Sequence, residues 1–287
     1  MVAGACSDRP PPTKYPPLQP DSPCPHLTRT ERRRTEMSGS LHGKRALITG
    51  GHRGIGRAIA EAFTEAGAVV AIADIEGADV AAKEIGRGAI GVTCDVSSAD
   101  SVAAAVQTTT ASLGGIDVLV NNAGVEAIGP LHETSEADFD RLMAINVRGP
   151  WLVYKHAVPA LIDGGGAIVN IASVSGVAAF PLLGVYSATK AALIRLTEAM
   201  TLELRDHGVR ATAICPGFVN TEMVARTSDV FADITGASFA EVVTQGQGEM
   251  AAPADIAGLA TYLASDAASF VNGTAIVVDG GMNLRRV

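Results

Sequence analysis

The chain of 287 residues has only four cysteines, six histidines and one tryptophan. The cysteines form no CxxC pair: Cys6 and Cys24 lie in a Pro-rich head, while Cys94 and Cys215 each end a run of small or apolar residues. Neither a disulfide frame nor a zinc site is expected, and the thiols read as reduced and inert in a cytoplasmic protein. The histidines show no HxxxH or similar ligand spacing, so no metal is expected. Positive charge is also scarce. The net charge of −8 opposes nucleic acid and anionic membranes as partners. No stretch of about 18 apolar residues is present to span a bilayer, and the N-terminus shows no apolar signal-peptide core. These absences leave a small molecule as the expected partner.

What is present is a 47% hydrophobic composition, enough for one large core. Residues 1–40 stand apart. "RPPPTKYPPLQPDSPCP" is Pro-rich and "RTERRRTE" is a charge run, so this segment is expected to be a disordered Pro/Arg-rich extension, with Met37 as a candidate internal start. Over residues 41–287 short apolar runs alternate with longer helical patterns. "RALIT" (45–49), "AVVAIAD" (68–74), "AIGVTCD" (89–95), "DVLVNNAG" (117–124), "AIVNIAS" (167–173), "VRATAICPG" (209–217) and "TAIVVDGG" (274–281) read as strands covered on both sides. Stretches such as "GRAIAEAFTEAG" and "AALIRLTEAMTLELRDHG" carry apolar residues at helical spacing. The alternation predicts an α/β, single-domain, doubly wound parallel sheet of about seven strands with helices on both faces, Rossmann-like, with right-handed crossovers.

The first strand runs into "TGGHRGIG" and then into a helix, and Gly50, Arg53, Gly54, Ile55 and Gly56 of this loop are expected to contact a dinucleotide. Glycines there permit a tight turn and close approach of a pyrophosphate, and the helix N-terminus offers N–H groups to the anion. Asp74 closes the second strand, where a carboxylate accepts from adenosine ribose hydroxyls and repels a 2′-phosphate; this favours NAD over NADP. His52 and Arg53 argue the other way, since a basic group in the loop could reach a 2′-phosphate. Asp95 and Val96 follow the third strand and border the adenine, although capping of the next helix accounts for Asp95 nearly as well.

In "VYSATKAAL" a phenol, Tyr186, and an amine, Lys190, stand one helical turn apart on one face. On its own this would be a surface pair. Together with "TGGHRGIG", "NNAG" (121–124), Asn146 in "MAINVRG", Ser173 in "NIASVSG", "PGFVNT" (216–221) and "VDGG" (278–281), in that order, the chain from about residue 42 to 284 resembles the short-chain dehydrogenase/reductase family. The resemblance implies an oxidoreductase moving a hydride between NAD, less favourably NADP, and a secondary alcohol or ketone. It implies a catalytic set of Asn146, Ser173, Tyr186 and Lys190, and a homotetramer or homodimer. A nearby ammonium, together with the positive nicotinamide of the oxidised cofactor, favours the phenolate, so the two are expected to lower the pKa of Tyr186, and Lys190 also to hold the nicotinamide ribose. Ser173 is expected to hydrogen-bond the substrate oxygen. Asn146 is expected either to support a proton-relaying water or to bond main chain. Asn122 and Gly124 are read as mainly structural with some cofactor contact. Pro216 and Gly217 end the sixth strand, and Thr221 either bonds the nicotinamide carboxamide or only caps the following helix.

Residues 218–250 look less regular and are expected to close over the substrate, with Met223, Val224, Phe231 and Phe239 giving the pocket a moderately apolar character. Glu126, Phe180 and Leu182 are further candidates for substrate contact. Two rival readings are an NADP-dependent ketone reductase, such as a 3-oxoacyl-thioester reductase, and a non-catalytic dinucleotide-binding sensor. The complete set of four catalytic residues speaks against the sensor.

Overall fold

Seven parallel strands form one sheet in the order β3-β2-β1-β4-β5-β6-β7 in the computed structural model, which describes residues 40–284. The strands are β1 (Arg45–Thr49), β2 (Val69–Asp74), β3 (Ile90–Thr93), β4 (Val118–Asn121), β5 (Gly166–Ile171), β6 (Val209–Pro216) and β7 (Ala275–Val278). Each falls inside one of the apolar runs named above, except that β5 begins one residue earlier, at Gly166. Between them run α1 (Gly54–Glu65), α2 (Ala78–Ile85), α3 (Ala99–Leu113), α4 (Glu136–Met143), α5 (Gly149–Gly164), α6 (Gly184–Leu204), α7 (Glu222–Thr235), α8 (Phe239–Gly246) and α9 (Pro253–Ala264). The expected extension over residues 1–40 lies, except for Ser40, outside the described residues, as do residues 285–287.

Because side chains alternate along a strand, the central strands feed two cores. Ala46 and Ile48 of β1 and Val118 and Val120 of β4 pack on one side, with Ile59 and Phe63 of α1 and Ile256, Ala260 and Leu263 of α9. Leu47 and Leu119 point the other way, onto Val102 and Val106 of α3, Leu152 and Leu161 of α5 and Met200 and Leu204 of α6. Burial on both sides explains why these strands read as unbroken apolar runs.

Two polar devices tie the central strands together. Asn121 and Asn170 are register partners on β4 and β5, and both are buried. Asn121 Nδ2 donates to Asn170 Oδ1 at 2.8 Å, and Asn170 Nδ2 donates to Thr197 Oγ1 of α6 at 2.8 Å. At the opposite end of the sheet, Asp117 accepts from the Arg45 backbone N–H at 2.8 Å, from Nε at 2.8 Å and from a terminal guanidinium nitrogen at 2.7 Å.

The sheet order reverses at β1, which pairs with both β2 and β4. In an open parallel sheet this places a ligand crevice at the carboxyl ends of those strands. Among the described residues, no helix is long and apolar enough to cross a membrane.

The Arg45–Asp117 pair generates a test. Burial raises the Asp117 pKa, but hydrogen bonds and charge from Arg45 outweigh it and hold the carboxyl below its ordinary value. Its contribution is therefore complete above the unfolded value of about 3.9 and is lost as pH falls through the lowered, folded one. Asp117→Asn is expected to cost about 1 kcal/mol at neutral pH. In urea unfolding the gap to the wild type should close towards about pH 2.

Candidate active site

The first strand ends on a turn that only glycine can make. Gly50 has φ +64°, and a Cβ there would lie 2.8 Å from Ala123 Cα. A Cβ on Gly56 would lie 2.4 Å from the Asn122 amide nitrogen and closer still to the Gly50 carbonyl oxygen. Asn122 clamps this turn: its Nδ2 donates to the Thr49 carbonyl at 3.0 Å and the Gly50 carbonyl at 2.8 Å. Helix α1 starts without a side-chain cap on Arg53 and with no acidic residue in its first turn. Its leading N–H groups and positive dipole end thus remain for an anion. The glycine cradle and uncapped helix fit the pyrophosphate of a dinucleotide.

A cleft of about 1130 Å³ opens above this turn, lined by Gly50, Arg53, Gly54, Ile55, Asp74, Asp95, Val96, Asn122 and Gly124 among the expected cofactor residues. Pro216, Gly217 and Thr221 line it as well, together with Glu126, Ser173, Tyr186 and Lys190. Of the expected catalytic and cofactor residues, Gly56 and Asn146 are outside the lining. Asp74 receives the His52 backbone N–H at 3.0 Å and the Ile75 N–H at 2.8 Å, which orients the carboxylate. Of the two basic residues, Arg53 pairs with Glu222 of α7 at 2.6 Å, and the His52 ring occupies the space a side chain on Gly77 would need. Asp95 does not cap α3, a role taken by Ser98; its Oδ1 instead accepts from the Ser97 N–H at 2.9 Å.

Helix α6 presents Tyr186 and Lys190 on one face. The ammonium of Lys190 lies 5.7 Å from the centroid of the Tyr186 ring and donates to the Ile171 carbonyl, at the end of β5, at 2.9 Å. Lys190 is only 5% exposed, and burial lowers its pKa to about 8 against the opposing charges of Cys215 and Glu126. Tyr186 runs against the expectation. Burial pushes the phenol well above its ordinary value, Glu126 pushes it further, and a hydrogen bond with Ser173 pulls it back. Desolvation of the phenolate is the largest cause, and the hydrogen bond of the neighbouring ammonium goes to the Ile171 carbonyl.

Ser173 caps the turn Val174–Gly176, accepting from the Ser175 N–H at 3.1 Å. This use of a lone pair leaves its O–H to donate. A Cβ on Gly176 would lie 2.7 Å from the carbonyl carbon of Lys190, so glycine lets the Ser173 turn lie directly on α6.

Asn146 sits in a π-helical segment, Ala144–Arg148, between α4 and α5, inside the long helical pattern "EADFDRLMAINVRGPWLVYKHAVPAL". Its Oδ1 accepts from the Val125 N–H at 2.9 Å, and its Nδ2 donates to the Val125 carbonyl at 2.7 Å and to Thr189 Oγ1 at 3.1 Å. The main-chain alternative is therefore present in the structure. Gly124 is wedged beside it; a Cβ there would stand 3.3 Å from Asn146 Oδ1 and 3.4 Å from Lys190 Nζ.

Residues 218–250 are more regular than expected, because Thr221 and Ser238 cap two helices and Gly236 ends the first in a left-handed conformation. Thr221 Oγ1 accepts from the Val224 N–H at 3.4 Å, so the capping role is realised, and the residue also faces the cleft. Met223, Val224 and Phe180 line the cleft, whereas Leu182, Phe231 and Phe239 do not. Phe239 instead stacks edge-on with Phe218 at 4.9 Å and with Phe231 at 5.6 Å, because that packing buries the rings together. Leu182 occupies a turn with φ +65°.

Three contributors were missed. Thr227 donates to Glu126, Glu222 pairs with Arg53, and the Gln247 amide brackets Phe218, accepting from its N–H and donating to its carbonyl at 2.8 Å each. All three join residues far apart in sequence, and no local spacing signals them.

The family profile described as "Enoyl-(Acyl carrier protein) reductase" matches residues 50–283. Sorbitol dehydrogenase of Cereibacter sphaeroides is 41% identical over 250 residues, covering 84% of this chain and 98% of that protein. D-threitol dehydrogenase of Mycolicibacterium smegmatis is 37% identical over 265 residues, covering 90% of this chain and 100% of the relative. A crystal structure of a short-chain type dehydrogenase/reductase from Mycobacterium marinum superposes with a TM-score of 0.78 at 36% identity, covering 86% of this chain and 98% of that one. The chain belongs to the short-chain dehydrogenase/reductase family and is an NAD(P)-dependent oxidoreductase of CH–OH groups.

Proposed function

We propose that the protein interconverts a secondary alcohol and its ketone with NAD, Tyr186 serving as general acid and base. The observation that carries this reading is the convergence of Ser173, Tyr186 and Lys190 on the cleft that also holds the glycine cradle. When bound, the nicotinamide supplies the hydride acceptor and, in its oxidised form, a positive charge. Tyr186 takes the proton of the carbinol hydroxyl in oxidation and returns it in reduction. Ser173, its lone pair committed to the Ser175 N–H, donates its O–H to the same substrate oxygen and orients it. Lys190 sets positive charge at the face of the phenol ring and would hold the nicotinamide ribose of a bound cofactor. Asn146 acts as a positioning residue, fixing Val125 and, through Thr189, the first turns of α6.

The preference for NAD rests on Asp74, whose carboxylate is aimed by two backbone N–H groups at the cleft and disfavours a 2′-phosphate. Arg53, the loop cation nearest that role, is already paired with Glu222. The names of the sorbitol and D-threitol relatives support an alcohol substrate, and those relatives align over nearly the whole domain. Assembly into a homotetramer or homodimer belongs to the same proposal and is supported by exposed Phe139, Trp151 and Leu202 on α4, α5 and α6.

Tyr186→Phe is expected to lower kcat by about 10²–10⁴-fold while cofactor binding is retained, as read by steady-state kinetics and fluorescence titration with NADH. Asp74→Ala should reduce the ratio of kcat/KM for NAD over NADP by roughly tenfold or more, the loss of one hydrogen bond to a charged group. Because Glu126 raises the pKa of Tyr186, Glu126→Gln lowers it. The proton acceptor is then available at lower pH, so the pH profile of alcohol oxidation should move in the acid direction.

A further inference from the structure

Glu126 stands two residues beyond Gly124, on the loop that passes Lys190 and Asn146, and lines the same cleft as Ser173 and Tyr186. Its Oε1 accepts the hydroxyl of Thr227 on α7, 101 residues further along the chain. Among the described residues, no hydrogen bond reaches its Oε2. The same cleft is lined by the apolar Ile128, Phe180, Leu183, Met223 and Val230 and by Arg226. One carboxylate oxygen without a hydrogen-bond partner therefore faces this cleft, close enough to the phenol of Tyr186 to act on its charge. Burial raises the pKa of this carboxyl and marks it as drawn out of water, while Thr227, Arg226 and Lys190 favour its charged form.

We infer that Glu126 selects the substrate: its free carboxylate oxygen accepts a hydrogen bond from a second hydroxyl, so that the site takes polyols in preference to simple secondary alcohols. The inference rests on the proposed alcohol oxidation and names its substrate class. A hydroxyl donating to a carboxylate makes a short, strong bond. A substrate without that hydroxyl leaves the oxygen without this partner in the closed complex, and a site built around a hydrogen bond rejects such analogues. A cationic substrate suits the cleft less well, because Arg226 and Lys190 already place positive charge at Glu126. A neutral donor is what remains.

The test compares 2,3-butanediol and 1,3-butanediol with 2-butanol, using NAD and NADP in parallel. The wild type should favour at least one diol in kcat/KM by about tenfold to a hundredfold, and Glu126→Ala should bring that ratio close to one. Glu126→Gln, which keeps an acceptor but loses the charge, should fall between them. Thr227→Val removes only the tether to α7 and should retain the preference. Calorimetric binding of the diols and of 2-butanol to Tyr186→Phe loaded with cofactor reads the same preference without turnover. Equal use of diols and 2-butanol, or a preference that survives Glu126→Ala, would overturn the role and leave Glu126 as a tether. Absence of turnover with every alcohol and both cofactors would instead refute the proposed function, while the calorimetric ratio still decides the role of Glu126.

Discussion

The site depends on an ammonium taken almost wholly out of water. An isolated charge inside a protein is costly unless it is paired or hydrogen-bonded, and Lys190 is held by the Ile171 carbonyl at the end of β5 together with the field of Glu126. The residual penalty appears as its lowered pKa of about 8. Everything around it is arranged to let the side chain in. Gly124 removes a side chain that would crowd the nitrogen, and Gly176 lets the Ser173 turn lie flat on the helix that carries it. Asn146 then locks Val125, just beyond Gly124, by both of its backbone groups. Strand β5, helix α6 and the loop after β4 are joined at one point by one nitrogen and its neighbours.

The cofactor end follows a different logic, in which an arrangement of backbone replaces buried charge. Asn122 and Thr49 bind the two strands that flank the switch in sheet order, and Thr49 Oγ1 accepts from the Asn122 and Ala123 N–H groups at 3.0 and 3.1 Å. The Gly-rich turn is thereby held open, and α1 begins with its N–H groups uncommitted by any side-chain cap. Rigid dipoles aimed in advance need no reorganisation when an anion arrives.

Local pattern made most of the scaffold legible. The strands were visible because both faces are buried, and the Gly-rich loop because positive φ and close approach restrict the residue type. Asp74 could be named from its place at a strand end, whereas Tyr186 and Lys190, a surface pair by spacing alone, were named from the ordered motifs that carry the family resemblance. What stayed hidden is tertiary. The π segment at Asn146 follows the same apolar periodicity as the helices on either side of it, so one continuous helix was the natural reading. The pairing of Glu126 with Thr227 and the packing of Phe239 on Phe218 and Phe231 depend on how α7 and α8 return over the sheet. The upward shift of Tyr186 follows from burial, a quantity that sequence spacing alone leaves unspecified.

The amide ladder from Asn121 through Asn170 to Thr197 bears on alignment. Sliding β5 by one residue against β4 would leave two interior amides without partners and turn each pleat inside out, so competing pairings are penalised twice. Ser173 stands just past one of these strands and the Asn122 clamp just past the other. A vernier buried in the middle of the sheet thus calibrates the distance between the two halves of the reaction centre.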